Sequence, residues 1–209
     1  MKYVIASAIL FAGFAVLALL VVQNNVSVLA WDHSAFVSVN NPGGNTISKI
    51  MVELSKYGRE AVWIGVTALL FIIGRKNGRK VAILLTIAFL ILIPLGTILK
   101  SEVDRPRPIS GNLLVPHETD ASFPSGHAVI VSAGAIILLL RFHQGKQLIV
   151  SIILAIEAAL VAYSRVYVGA HYPLDVISGL LLGTGVACAV VASSKYMGPI
   201  FSRIDSMKI

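Results

Sequence analysis

Six stretches of the chain are almost wholly apolar: Tyr3–Val22, about Lys56–Ile73, Val81–Leu99, His127–Leu140, Leu148–Val166 and Val176–Ser193. A helix rises about 1.5 Å per residue, so roughly 20 such residues cross a hydrocarbon core of about 30 Å. The second and fourth stretches are short on strictly apolar residues, and their helices are expected to continue into the polar residues before them. The pattern predicts an all-α, polytopic membrane protein: six transmembrane helices in one bundle, forming a single domain over residues 1–209. Between the first two spans, "NNPGGN" at Asn40–Asn45 marks a turn. Ile47, Ile50, Met51 and Leu54 behind it recur at helical spacing. They predict a short amphipathic helix along the membrane interface in the first outward loop, with no chemistry of its own.

Composition agrees with a membrane location. Of 209 residues 56% are hydrophobic and 13% charged, with mean hydropathy +0.84, where a soluble domain is about half apolar and a quarter charged. The first stretch has a rival reading as a cleaved signal peptide, since Lys2 precedes it and "VLA" at Val28–Ala30 resembles a cleavage site. Its apolar run exceeds the roughly 7–15 residues usual for such a peptide, and an uncleaved helix is expected. The one cysteine, Cys188, excludes an intramolecular disulfide and reads as a small packing residue.

The net charge of +7 raises nucleic acid as a partner, but its placement argues against one. "RKNGRK" at Arg75–Lys80 concentrates cations between the second and third stretches, which marks a cytoplasmic turn. With six crossings, Lys2, the "RFHQGK" turn at Arg141–Lys146, Lys195, Arg203 and Lys208 fall on that same side. Both termini are then cytoplasmic, and topology and anionic headgroups account for the basic residues. No nucleic-acid partner is expected.

The opposite face collects chemistry. "KSEVDRPRP" at Lys100–Pro108, "SFPSGHA" at Ser122–Ala128 and "SRVYVGAHYPLD" at Ser164–Asp175 all fall at outward helix ends. Taken singly, Arg105 reads as a cation snorkelling to the headgroups, and Glu102, Asp104, Glu118 and Asp120 as its neighbours' partners. Taken together, the remaining residues divide into roles around one phosphate. Lys100, Arg107 and Arg165 supply positive charge, and arginine forks match phosphate oxygens. Ser125 and Gly126 stand where a helix begins, and free N–H groups there attract an anion. His171 and Asp175, four residues apart, share a helix face, so Asp175 can hold one imidazole nitrogen and leave the other as a nucleophile. His127, on a different helix, suits a general acid. The two imidazoles would then need different protonation states, and hence pKa values shifted apart from the ordinary ~6.5.

These three segments resemble the signature of the type 2 phosphatidic acid phosphatase (PAP2) superfamily: Lys100-x6-Arg107-Pro108, Pro124-Ser125-Gly126-His127 and Ser164-Arg165-x5-His171-x3-Asp175. The resemblance covers Lys100–Asp175, and six spans match the family's integral-membrane branch rather than its soluble vanadium haloperoxidases. It implies a phosphohistidine at His171 oriented by Asp175, with His127 protonating the leaving group. Lys100, Arg107, Ser125, Gly126 and Arg165 would hold the phosphate. It also implies no metal or other cofactor, in keeping with the lack of a carboxylate cluster of the kind Mg²⁺ uses. The expected substrate is a lipid phosphate or pyrophosphate at the outer face of the plasma membrane, with polyprenyl pyrophosphate first and phosphatidylglycerol phosphate, phosphatidic acid or diacylglycerol pyrophosphate close behind. A lipid phosphotransferase and a non-catalytic lipid-binding or transport protein are the rivals. The sequence leaves the oligomeric state open.

Three other features have quieter readings. His33, His117 and His143 are expected at the surface. Gly179 and Gly183 form a small-xxx-small pair that suits close helix packing within the chain. Glu157, in mid-membrane, is by default a functional candidate.

Overall fold

The computed structural model describes residues 1–205, and among them every regular element is helical. Lys208 lies outside the described residues. The order is α1 (Lys2–Val22), α2 (Val26–Val39), α3 (Asn45–Tyr57), α4 (Glu60–Ile73), α5 (Arg75–Val103), α6 (Gly126–Arg141), α7 (Gly145–Tyr167) and α8 (Pro173–Ser193), then a 3-10 turn and α9 (Gly198–Asp205).

Four helices are long and apolar enough to cross a membrane: α1, α5, α7 and α8. α2, α4 and α6 are apolar but shorter. The expected extension of α4 and α6 into preceding polar residues does not occur. α3 stops at Tyr57 and α4 restarts at Glu60, and at the break Gly58 packs so closely that a Cβ there would lie 2.2 Å from Val161. α6 cannot begin before Gly126: Pro124 disfavours helix in the residue before it, and Ser125 is extended at φ −67°, ψ 112°. At 14 and 16 residues these helices reach only about 21 and 24 Å.

Two other expectations change. The basic cluster Arg75–Lys80 is not a turn but the first turns of α5, the chain reversing at Gly74. The first connection holds two helices, not one, and α2 was not foreseen.

α8 is packed between α1 and α6. On one side Ser7 Oγ donates to the Gly185 carbonyl at 2.9 Å. On the other, a Cβ on Gly183 would lie 2.1 Å from the Val129 carbonyl oxygen, and one on Gly179 2.7 Å from that of Ser125. The two glycines therefore serve contact within the chain, and they set how closely the start of α8 approaches the start of α6. His33, His117 and His143 are exposed and Cys188 is buried. Glu157 is half-buried beside Trp63.

Candidate active site

α5 ends at Asp104, whose left-handed backbone (φ 45°) is one that a short polar side chain tolerates. The chain turns back there across the end of the bundle, where the C-termini of α5 and α7 meet the N-termini of α6 and α8. Ser122 N–H donates to the Arg105 carbonyl at 2.8 Å, and Ser125 N–H to the Asp175 carbonyl at 3.0 Å. All three signature segments are thereby joined.

Lys100, Arg107 and Arg165 converge on two carboxylates. Arg107 Nη2 donates to Glu118 Oε2 at 2.7 Å and to Asp120 Oδ1 at 2.6 Å. Arg165 pairs with Glu118, and Lys100 with Asp120. The two arginine side chains are 6% and 3% exposed, so these are desolvated charges that need anionic partners. Burial would raise the Glu118 pKa, but Arg165 and Arg107 hold it below the ordinary carboxylate value. Burial works the same way on Asp120, yet hydrogen bonds from Lys100 and Arg107 bring it down to about 2. Glu118 and Asp120 are therefore the partners of these cations, half-buried and exposed respectively, over two buried arginines.

His171 is 1% exposed and lies just before α8. Its Nδ1 is 3.5 Å from Asp175 Oδ2, and its Nε2 is 3.3 Å from Arg107 Nη1. One nitrogen faces an anion and the other the cation cluster, which matches an Nδ1–H tautomer with a lone pair on Nε2. Burial, reinforced by Arg165 and Arg107, pushes its pKa well below the usual value. Asp175 is held from two directions. Tyr172 N–H donates to Oδ2 at 2.9 Å, capping α8, and Pro173 starts that helix with the fixed φ such a position favours. Arg105 Nη1 donates to Oδ1 at 2.6 Å.

Arg105 is thus not a snorkelling cation. Its side chain is 9% exposed, and its other nitrogen donates to Asp32 Oδ2 at 2.5 Å. Asp32, fully buried on α2, also accepts from Leu174 N–H at 2.8 Å. Ser55, at the end of α3, is a second residue that the sequence reading missed: its hydroxyl accepts from Arg165 Nη1 at 2.5 Å, and its carbonyl faces the His127 ring. The first connection therefore does carry part of the site. The available signal was chemical, an aspartate in the otherwise apolar run "VLAWDHSAF", since a buried charge must have a partner.

His127 is 8% exposed on the first turn of α6. Ser125 caps that helix, but its N–H is already engaged by Asp175, so only its buried hydroxyl, which has no hydrogen-bond partner, can serve a ligand. Arg165 Nε is likewise buried without a partner. Gly126 opens α6, and the N–H groups of a first helical turn have no intrahelical acceptor. Lys100, Arg107, Ser125, Gly126, His127, Arg165, His171 and Asp175 thus all lie at this end of the bundle. Among the described residues no group of three or more His, Cys, Asp or Glu is arranged to hold a metal ion.

The family model of the PAP2 superfamily matches residues 79–198. The chain belongs to the PAP2 superfamily. An undecaprenyl-diphosphatase of Sulfolobus acidocaldarius is 49% identical over 78% of this PAP2 chain and 77% of its own. A Bacillus licheniformis protein named bacitracin transport permease protein BcrC is 33% identical over 70% of this chain and 68% of its own. In fold, the chain is similar to the crystal structure of a transmembrane PAP2 type phosphatidylglycerolphosphate phosphatase from Bacillus subtilis, with TM-score 0.74 and 24% identity, covering 91% of this chain and 96% of that one.

Proposed function

We propose that this PAP2 protein is an integral membrane phosphatase that removes a phosphate from a lipid phosphate or lipid pyrophosphate, with polyprenyl pyrophosphate as the leading substrate. The observation that carries this reading is the convergence of Lys100, Arg107 and Arg165 on two carboxylates beside His171 Nε2. A phosphate group presents the same anionic oxygens and takes the place of Glu118 and Asp120 among those cations. The Ser125 hydroxyl, the Gly126 N–H and Arg165 Nε complete its ligands. His171 Nε2 attacks phosphorus and forms a phosphohistidine as the bond to the lipid oxygen breaks. His127 gives that oxygen a proton, then takes one from the water that hydrolyses the intermediate. Asp175 holds the imidazole throughout.

The chain crosses the membrane six times in this reading, with α1, α5, α7 and α8 as full spans and the shorter α4 and α6 as two more. α3 lies along the interface. The site is at the outer face of the plasma membrane, because the signature lies at the opposite end of α5 from Arg75–Lys80. With Cys188 replaced, a cysteine at Asn77 should resist an impermeant thiol reagent in intact cells and one at Asn112 should react. The reverse pattern would put the site inside.

A lipid-binding or transport role would require the basic end but no histidine facing a buried carboxylate, and a phosphotransferase would need an acceptor lipid. The deciding measurement is phosphate release by the purified protein in detergent from a panel of polyprenyl pyrophosphate, phosphatidylglycerol phosphate and phosphatidic acid, with and without acceptor lipid. Release without acceptor is expected. Binding with no release from any of them would sink the hydrolase reading.

A further inference from the structure

We infer that Arg59 is the ligand of a second phosphate, so that the site selects lipid diphosphates over monophosphates bearing the same tail. This rests on the lipid phosphatase reading above.

Arg59 lies in the break between α3 and α4, outside the signature. Its guanidinium sits against the start of α6: Nη1 is 3.4 Å from where a Cβ on Gly126 would be. Together with Lys100 and Gly126 it lines a cavity of about 320 Å³ whose walls otherwise include Trp63, Phe89 and Ile93. This apolar space therefore reaches Lys100 and the start of α6, and Arg59 stands at that end of it. Its ion pair is with the adjacent Glu60, and the two side chains are 32% and 48% exposed. Such a pair is weak and easily given up, unlike the buried pairs of Arg107 and Arg165.

The order of groups in a lipid diphosphate matches the order of residues. The terminal phosphate takes the cradle of Lys100, Arg107 and Arg165 beside His171, and the tail takes the apolar space. The second phosphate then falls between them, at the first turn of α6 and Arg59. When His171 Nε2 attacks the terminal phosphorus, the bond to the bridging oxygen breaks and its electron pair stays on the departing lipid monophosphate. His127 protonates that oxygen, and Arg59 balances the charge that remains on the departing phosphate, which is greatest as the bond breaks. Water then cleaves the phosphohistidine, so one diphosphate and one water give a lipid monophosphate and inorganic phosphate. A monophosphate substrate places nothing charged at Arg59.

Farnesyl diphosphate and farnesyl monophosphate, with identical tails, test this in detergent micelles with the full-length protein. Arg59→Gln should lower kcat/KM for the diphosphate by about 10²-fold, the scale for loss of one transition-state charge contact, and leave the monophosphate within about threefold. Arg59→Lys should recover part of the loss. Inorganic pyrophosphate should inhibit the unmodified protein more strongly than Arg59→Gln. An equal fall on both substrates would make Arg59 a structural residue, and an unchanged diphosphate rate would give it no role; either overturns the inference. If the unmodified protein releases phosphate from neither substrate, the phosphatase reading fails, and this inference with it. If it cleaves the monophosphate as well as the diphosphate, the selectivity inference alone fails.

Discussion

Replacement of His171 by alanine is expected to abolish both turnover and an acid-labile phosphoenzyme. Its Nε2 lies 3.3 Å from Arg107 at the cation cluster and its Nδ1 faces Asp175 at 3.5 Å, whereas His127 stands on another helix. Replacement of His127 should leave the phosphoenzyme accessible and slow its formation, typically by about 10²–10⁴-fold, the range for general acid help. The loss should shrink for an aryl phosphate, whose leaving group needs no proton. The pH dependence of kcat/KM follows from the same geometry. A histidine whose pKa is depressed stays neutral to lower pH, so protonation of His171 should remove activity only well below pH ~6.5. Rapid quench with labelled substrate decides the assignment. A phosphoenzyme undiminished in His171→Ala and absent in His127→Ala would reverse the two roles.

Arg105→Met is expected to have the largest effect on stability. The substitution keeps much of the side-chain volume but strips the cation from between Asp32 and Asp175, both fully buried. Removing one partner of a buried pair typically costs about 3–5 kcal/mol, because the remaining charge is left uncompensated. For a chain of this size that corresponds to a fall in Tm of roughly 10 °C. Thermal unfolding in detergent measures it. Arg105→Lys should recover only part, since a single ammonium cannot reproduce the fork that reaches both carboxylates. Adding Asp32→Asn to Arg105→Met should relieve some of the loss, as one of the stranded charges is gone. A Tm within about 2 °C of the unmodified protein would mean that Arg105 is not compensating the two aspartates.

The helical membrane character, the four long spans and the three signature segments can be read from the residue pattern alone. Each of these is written in local pattern: apolar runs have a length, and His171 and Asp175 stand one helical turn apart whatever else the chain does. Lys100, Arg107 and Arg165 stood out for the same reason, as cations inside those segments. Tertiary structure decided where α4 begins, since the break lies beside the close contact of Gly58 with Val161, a hundred residues away in the sequence. It also decided the partners. Arg105 looked like any cation at a helix end until α2 brought Asp32 to it, and α3 acquired chemistry only because its last turn delivers Ser55 to Arg165 and His127. Buried ion pairs and hydrogen bonds join residues by distance in space, and that distance is set by helix packing such as the close contact of Gly183 with Val129; no periodicity along the chain encodes it.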